Sequence, residues 1–151
     1  MSLVVLVVAL ATLGCGGDDD DEGITLKDFE GSWEATSFVI TSIDDPSTSL
    51  GLIAAGGAFT LVVDDSGNGE GSVVLPEALG GITLPFIGSV ELVDQETIRV
   101  TFDQEIPPLL TNFAGPLMLE GDTMTVTDES STFDFGTGEV PVTGTFILVR
   151  R

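Results

Sequence analysis

Carboxylates are the one reactive group this chain has in quantity, 25 Asp and Glu against four basic residues, Lys27, Arg99, Arg150 and Arg151. Two carboxyls facing each other across a cleft, with their pKa values pushed apart, can work as acid and base in hydrolysis. No pair stands at a spacing that points to such a site. The chain has no His, no Tyr and a single Cys, Cys15. Without imidazole there is no Ser-His or Cys-His nucleophile pair and no imidazole metal ligand. A lone thiol leaves no intrachain disulfide and no thiolate-rich zinc site. The expectation is a protein that is not an enzyme and that holds no cofactor and no metal.

Two oxygen-rich stretches need a reading of their own. Residues 18–22 are five consecutive acidic residues. Like charges in a row repel, extend and stay solvated, so this run reads as a linker and not as a calcium cluster. Asp64-x-Ser66-x-Asn68-Gly69 begins like a calcium loop, but the twelfth position counted from Asp64 is Leu75 and not a bidentate Glu. It reads as a hairpin turn, with Asn68-Gly69 expected to supply the positive φ. The formal net charge of −21 repels phosphate backbones, and nucleic acid is excluded as a partner.

The elements that must position these groups begin with residues 3–13, an apolar run of eleven residues broken only by Thr12 and followed by Gly14-Cys15. A bilayer-spanning helix takes about 20 residues, and the length here fits the apolar core of a secretory signal. The junction Gly14-Cys15-Gly16-Gly17, followed by the acidic run, resembles a bacterial lipoprotein leader, with Thr12 where that family prefers Leu. The resemblance implies that residues 1–14 are a signal peptide and that Cys15 becomes the lipid-modified first residue. Residues 15–23 would then be an acidic tether, and the chain would sit in the cell envelope, anchored at the periplasmic face or outer membrane. Its first partner would be the membrane itself, through acyl chains worth about 0.8 kcal/mol per buried methylene.

Residues 24–151 are expected to form one all-β domain. Val, Ile, Thr and Phe suit a pleated surface, and 19 glycines and seven prolines punctuate the strands. The first long run, residues 32–43, holds the sole tryptophan. Strict alternation puts Trp33, Ala35, Ser37, Val39 and Thr41 on one side, and Glu34, Thr36, Phe38 and Ile40 on the other. Further strands are expected at 58–64, 72–75, 82–93, 97–103, 117–120, 123–127, 132–135 and 142–151. Residues 50–57 are expected to form a loop or helical turn, 105–115 an apolar loop, and 128–131 a turn. Eight or nine such strands leave two exposed edges unless the sheet closes, so a single antiparallel up-and-down barrel of about eight strands is the expected architecture.

On that first strand Gly31-x-Trp33, with Arg150 or Arg151 ending the last one, is similar to the lipocalins. In that family the Gly-x-Trp tryptophan closes one barrel end, and an arginine of the final strand packs across its ring. The resemblance implies that Gly31, Trp33 and Arg150 form the closure here. It also implies a lumen for a small hydrophobic ligand, lined by Phe59, Leu61, Leu84, Phe86, Val100, Phe102, Met124 and Phe146. Ile82, Ile98, Leu117, Leu119, Val126 and Leu148 share the expected inward face. Most of these side chains are large, and a filled barrel that acts as a surface interaction module is the other reading. A cavity above roughly 300 Å³ among them would separate the two.

Overall fold

Each oily strand face needs a cover, and a sheet rolled on itself supplies that cover from its own far wall. The computed structural model describes residues 23–106, 110–136 and 138–151. Nine strands follow in order: β1 (Gly31–Ser42), β2 (Ser49–Gly51), β3 (Ala58–Val63), β4 (Asn68–Val74), β5 (Thr83–Leu92), β6 (Thr97–Ile106), β7 (Leu110–Glu120), β8 (Thr123–Asp134) and β9 (Glu139–Arg150). From β3 onward each strand pairs antiparallel with the next, and β9 returns to β1 from Trp33↔Arg150 to Ser42↔Val142. β2 stands outside this ring. It pairs with Val39–Thr41 on the edge of β1 whose other end, Gly31–Glu34, carries β3. Eight strands therefore close an up-and-down barrel, the architecture expected from the alternation.

The inward face of β1 changes sides once. Trp33 and Ala35 are buried, and so are Phe38, Ile40 and Ser42, although the two sets differ in parity. The register to β9 explains it: Ala35 pairs with Leu148 but Ser37 with Ile147, so Thr36 is an extra residue in the ladder. Thr36 points to solvent and its hydroxyl donates to the Ile147 carbonyl at 3.3 Å. The strict two-residue alternation read from the sequence is corrected here, because one bulge lets both halves of β1 turn large side chains inward.

A second bulge corrects the turn expected at 128–131. Asp128 pairs with Gly144 and Ser131 with Val142, so Glu129 and Ser130 face one residue, Thr143. β8 runs unbroken through this stretch. The apolar loop expected over 105–115 is mostly strand, since β6 extends to Ile106 and β7 begins at Leu110. Leu110 pairs with Ile106 and Phe113 with Val100. In the β3–β4 turn Gly67, at φ +83°, supplies the left-handed residue, and no non-glycine among the described residues has positive φ. Asn68 and Gly69 already belong to β4. The expected loop at 50–57 contributes β2 and then fully buried Leu52, whose N–H donates to the Phe38 carbonyl at 2.8 Å.

The core is the barrel interior. Phe38 and Phe146 meet in a tilted pair with centroids 4.0 Å apart, and Phe59, Phe86 and Phe102 form a chain at 5.4 and 4.9 Å. Such pairs add about 0.5–1.5 kcal/mol beyond the area they bury. A 3-10 turn, Leu26–Phe29, precedes β1 and drives fully buried Phe29 into the end of the barrel where β1 begins. Its start is capped by Asp28, whose carboxylate accepts the Thr25 N–H at 2.8 Å and the Thr25 hydroxyl at 2.9 Å.

Candidate functional site

Three positions build the closed end. Gly31, at φ +125°, starts β1, and a side chain there would lie against the Arg150 stem. Trp33 is buried beneath Arg150, whose guanidinium carbon stands 4.8 Å from the ring centroid. The indole N–H donates to the Phe29 carbonyl at 2.7 Å, and the Arg150 guanidinium donates to the Asp28 carbonyl. The 3-10 turn is thereby fastened to both the first and the last strand. A cation over an indole contributes about 0.5–2 kcal/mol. Asp122, 3.7 Å from Arg150 Nε, adds an ion pair beyond hydrogen-bond reach. Arg151 pairs instead with Glu34 at 2.7 Å, on the exposed face. Cys15 lies outside the described residues.

Of the side chains expected to line the lumen, Phe59, Leu61, Phe86, Val100, Phe102, Met124 and Phe146 are buried in the interior. Leu84 is half-buried at its margin, packed against that core. Ile98, Leu117, Val126 and Leu148 are buried too, and Leu119 is half-buried. Ile82 is a correction: it precedes β5, beyond the rim, and is 48 % exposed. Where Phe29, Leu61, Val90, Ile98, Val126 and Phe146 converge, the space left between them is about 10 Å³. A single water needs about 10–15 Å³. This part of the lumen is a packed core.

Sequence reasoning missed several core residues, Phe29, Leu52, Val90 and Phe133 among them, and a buried carboxylate. Asp128 is fully buried, paired with Gly144 on β9, and accepts the Ser131 hydroxyl across the bulge. Its motif Thr127-Asp128-Glu129 looks like any polar turn, yet Asp128 continues the inward row of Met124 and Val126, and the bulge after it changes the phase so that Phe133 faces inward next.

The larger hollow lies on the outside of the barrel. Outward residues of β3, β4 and β5 meet in two cross-strand rows, Val62–Glu70–Ile87 and Thr60–Ser72–Pro85. Val62 and Ile87 are exposed apolar side chains, at 46 % and 61 %, with Glu70 between them. The β5–β6 ladder ends at Gly88↔Phe102, and Asp103 follows at the margin of the hollow. Val62, Glu70, Ser72, Pro85, Ile87 and Asp103, with Gly71 and the edge of Phe86, border an open hollow of about 500 Å³. A second hollow of about 290 Å³ adjoins it, sharing Val62, Glu70 and Ile87 and reaching Asp64. A sequence signal did exist, because Val62 and Ile87 are apolar at positions where alternation puts them in water.

The carboxylates around this wall differ in their state. Asp64 is taken up by its own turn, accepting the Ser66 N–H at 2.9 Å, the Asn68 N–H at 2.8 Å and the Asn68 side-chain amide at 2.9 Å. The Asn68 side chain, followed by its backbone N–H, holds the Asp64 carboxyl below the usual range. Among the described residues, no hydrogen bond or ion pair engages the side chain of Glu70 or Asp103. None of the four basic residues lines the hollow, and Arg99 is held by Glu91 at 3.1 Å. The arrangement is apolar in body and anionic at two points.

No protein-family model matches the chain. No curated protein matches it either. Among solved structures it is similar to rhizavidin, at 14 % identity and a TM-score of 0.38, over 76 % of this chain and 83 % of that one.

Proposed function

We propose that this chain is a lipid-anchored protein of the cell envelope that binds a small, largely apolar ligand on the outer wall of its barrel and not among the core side chains. One observation supports the reading above the others: the wall of β3, β4 and β5 offers about 500 Å³, whereas the packed stretch of lumen leaves about 10 Å³. Ligand pockets run from about 300 to 1,000 Å³ and are apolar with a few polar groups. The outer hollow has that size and make-up, and buried Phe59, Leu61 and Phe86 pack the inner side of the wall beneath it. Anchoring rests on the sequence alone, through the apolar run, Cys15 and the acidic tether.

Native mass spectrometry of the full chain, extracted in detergent from its own envelope, tests the site. A small co-purifying mass is expected in the wild type, lost in Ile87→Glu and kept in the interior variant Val126→Ala. A mass kept in Ile87→Glu and lost in Val126→Ala overturns the outer-wall reading, and a clean apo mass for the wild type overturns ligand binding. Palmitate labelling in cells tests the anchor, and incorporation that survives Cys15→Ser sinks it.

A further inference from the structure

The charge of the outer hollow narrows the class of molecule it fits. Glu70 sits between Val62 and Ile87 in one cross-strand row, and Asp103 stands at the margin where β6 leaves β5. Neither side chain has a hydrogen-bonding or ionic partner among the described residues, and every basic side chain lies elsewhere. The neighbouring Asp64 is a contrast, since its oxygens are already spent on the β3–β4 turn. An apolar surface with two carboxylates that no described residue engages repels an anion, leaves a neutral molecule without polar recognition, and attracts a cation that has an oily body.

On the reading that the outer wall is the binding site, we infer that its ligand is an organic cation, an apolar body bearing an ammonium-type charge. The body lies on Val62, Ile87 and Pro85, and the charge faces Glu70 and Asp103. A neutral or anionic molecule of the same size loses the attraction and keeps only the apolar contact. Both carboxylates border solvent, so each contributes as an exposed ion pair does, about a two- to fivefold change in affinity. The excess of negative charge over the whole chain raises the local concentration of any cation, but only short-range contact with Glu70 and Asp103 makes the effect residue-specific.

Three water-soluble probes of one shape test this on the full chain in zwitterionic nanodiscs: benzyltrimethylammonium, benzyl alcohol and benzenesulfonate. Methyl NMR reads the site. Benzyltrimethylammonium is expected to shift the Val62 and Ile87 methyls and to bind more tightly than the other two. Glu70→Gln and Asp103→Asn should each weaken it about two- to fivefold, while Glu139→Gln, an exposed carboxylate at the start of β9, should leave it unchanged. Equal binding of all three probes at Val62 and Ile87 overturns the charge preference and leaves the outer-wall site standing. Shifts confined to the core methyls of Val100 and Val126, or no shift with any probe, overturn both.

Discussion

Deleting one residue from β1 should do little damage or a great deal, depending on which residue it is. Thr36 is the surplus residue of the bulge, so its removal joins Ala35, paired with Leu148, directly to Ser37, paired with Ile147. Trp33, Ala35, Phe38 and Ile40 then all face inward on a regular strand. The loss is the exposed Thr36 and its bond to the Ile147 carbonyl, about 0.5–1.5 kcal/mol. Deleting Val39 instead moves Ile40 into an outward slot and Thr41 into an inward one. Exposing Ile40, now 3 % accessible, costs about 1.5–3 kcal/mol. Turning the Thr41 hydroxyl into an apolar interior without a partner costs about 1–3 kcal/mol more. The two deletions should therefore differ by about 2–4 kcal/mol, a melting-temperature gap of about 5–15 °C at this chain length. Trp33 is the only tryptophan and lies buried under Arg150, so its fluorescence in urea or on heating reports both variants. If loss of Thr36 is as damaging as loss of Val39, the bulge does not set the phase of β1 and the reasoning fails.

Gly115 should not tolerate a side chain. A Cβ there would stand 1.7 Å from the Thr127 carbonyl oxygen, so Gly115→Ala must push β8 away and should lower stability by about 3 kcal/mol or more in urea denaturation. Acid sensitivity should trace to the capping aspartates. The Asn68 side chain lowers the Asp64 pKa, and the Ser47 side chain does the same for Asp45. A carboxyl with a depressed folded pKa stabilises above its unfolded value, about pH 4, and that contribution is lost as pH falls through the folded value. The stability gap between wild type and Asp64→Ala should thus be full at neutral pH and close toward pH 2. A gap that widens on acidification contradicts the assignment.

The closed barrel could be read from residue types because strand propensity, turn residues and the need to bury one face of many strands are local facts with one economical solution. So could part of the core: Phe59, Leu61, Phe86, Val100, Phe102, Met124 and Phe146 fall on the inward face by alternation on their strands. Trp33 and Arg150 are 117 residues apart and meet only because β9 closes on β1 in one register. Local pattern could not reveal the bulges, since an extra residue is defined by what faces it on the partner strand. That is why strict alternation puts Phe38 and Ile40 on the wrong face; Asp128 escapes for another reason, because Asp128-Glu129-Ser130-Ser131 reads as a turn although Asp128 continues the inward row of Met124 and Val126. The outer hollow is legible only in part, through Val62 and Ile87, apolar at outward positions. Val62, Glu70, Ile87 and Asp103 come from four strands, and only the pairing registers and the parting of β5 from β6 set them around one space. Composition alone decided the absence of imidazole chemistry and the negative field; which carboxylates are engaged was decided by tertiary structure, because the β3–β4 turn closes on Asp64 while no described residue bonds the side chain of Glu70 or Asp103.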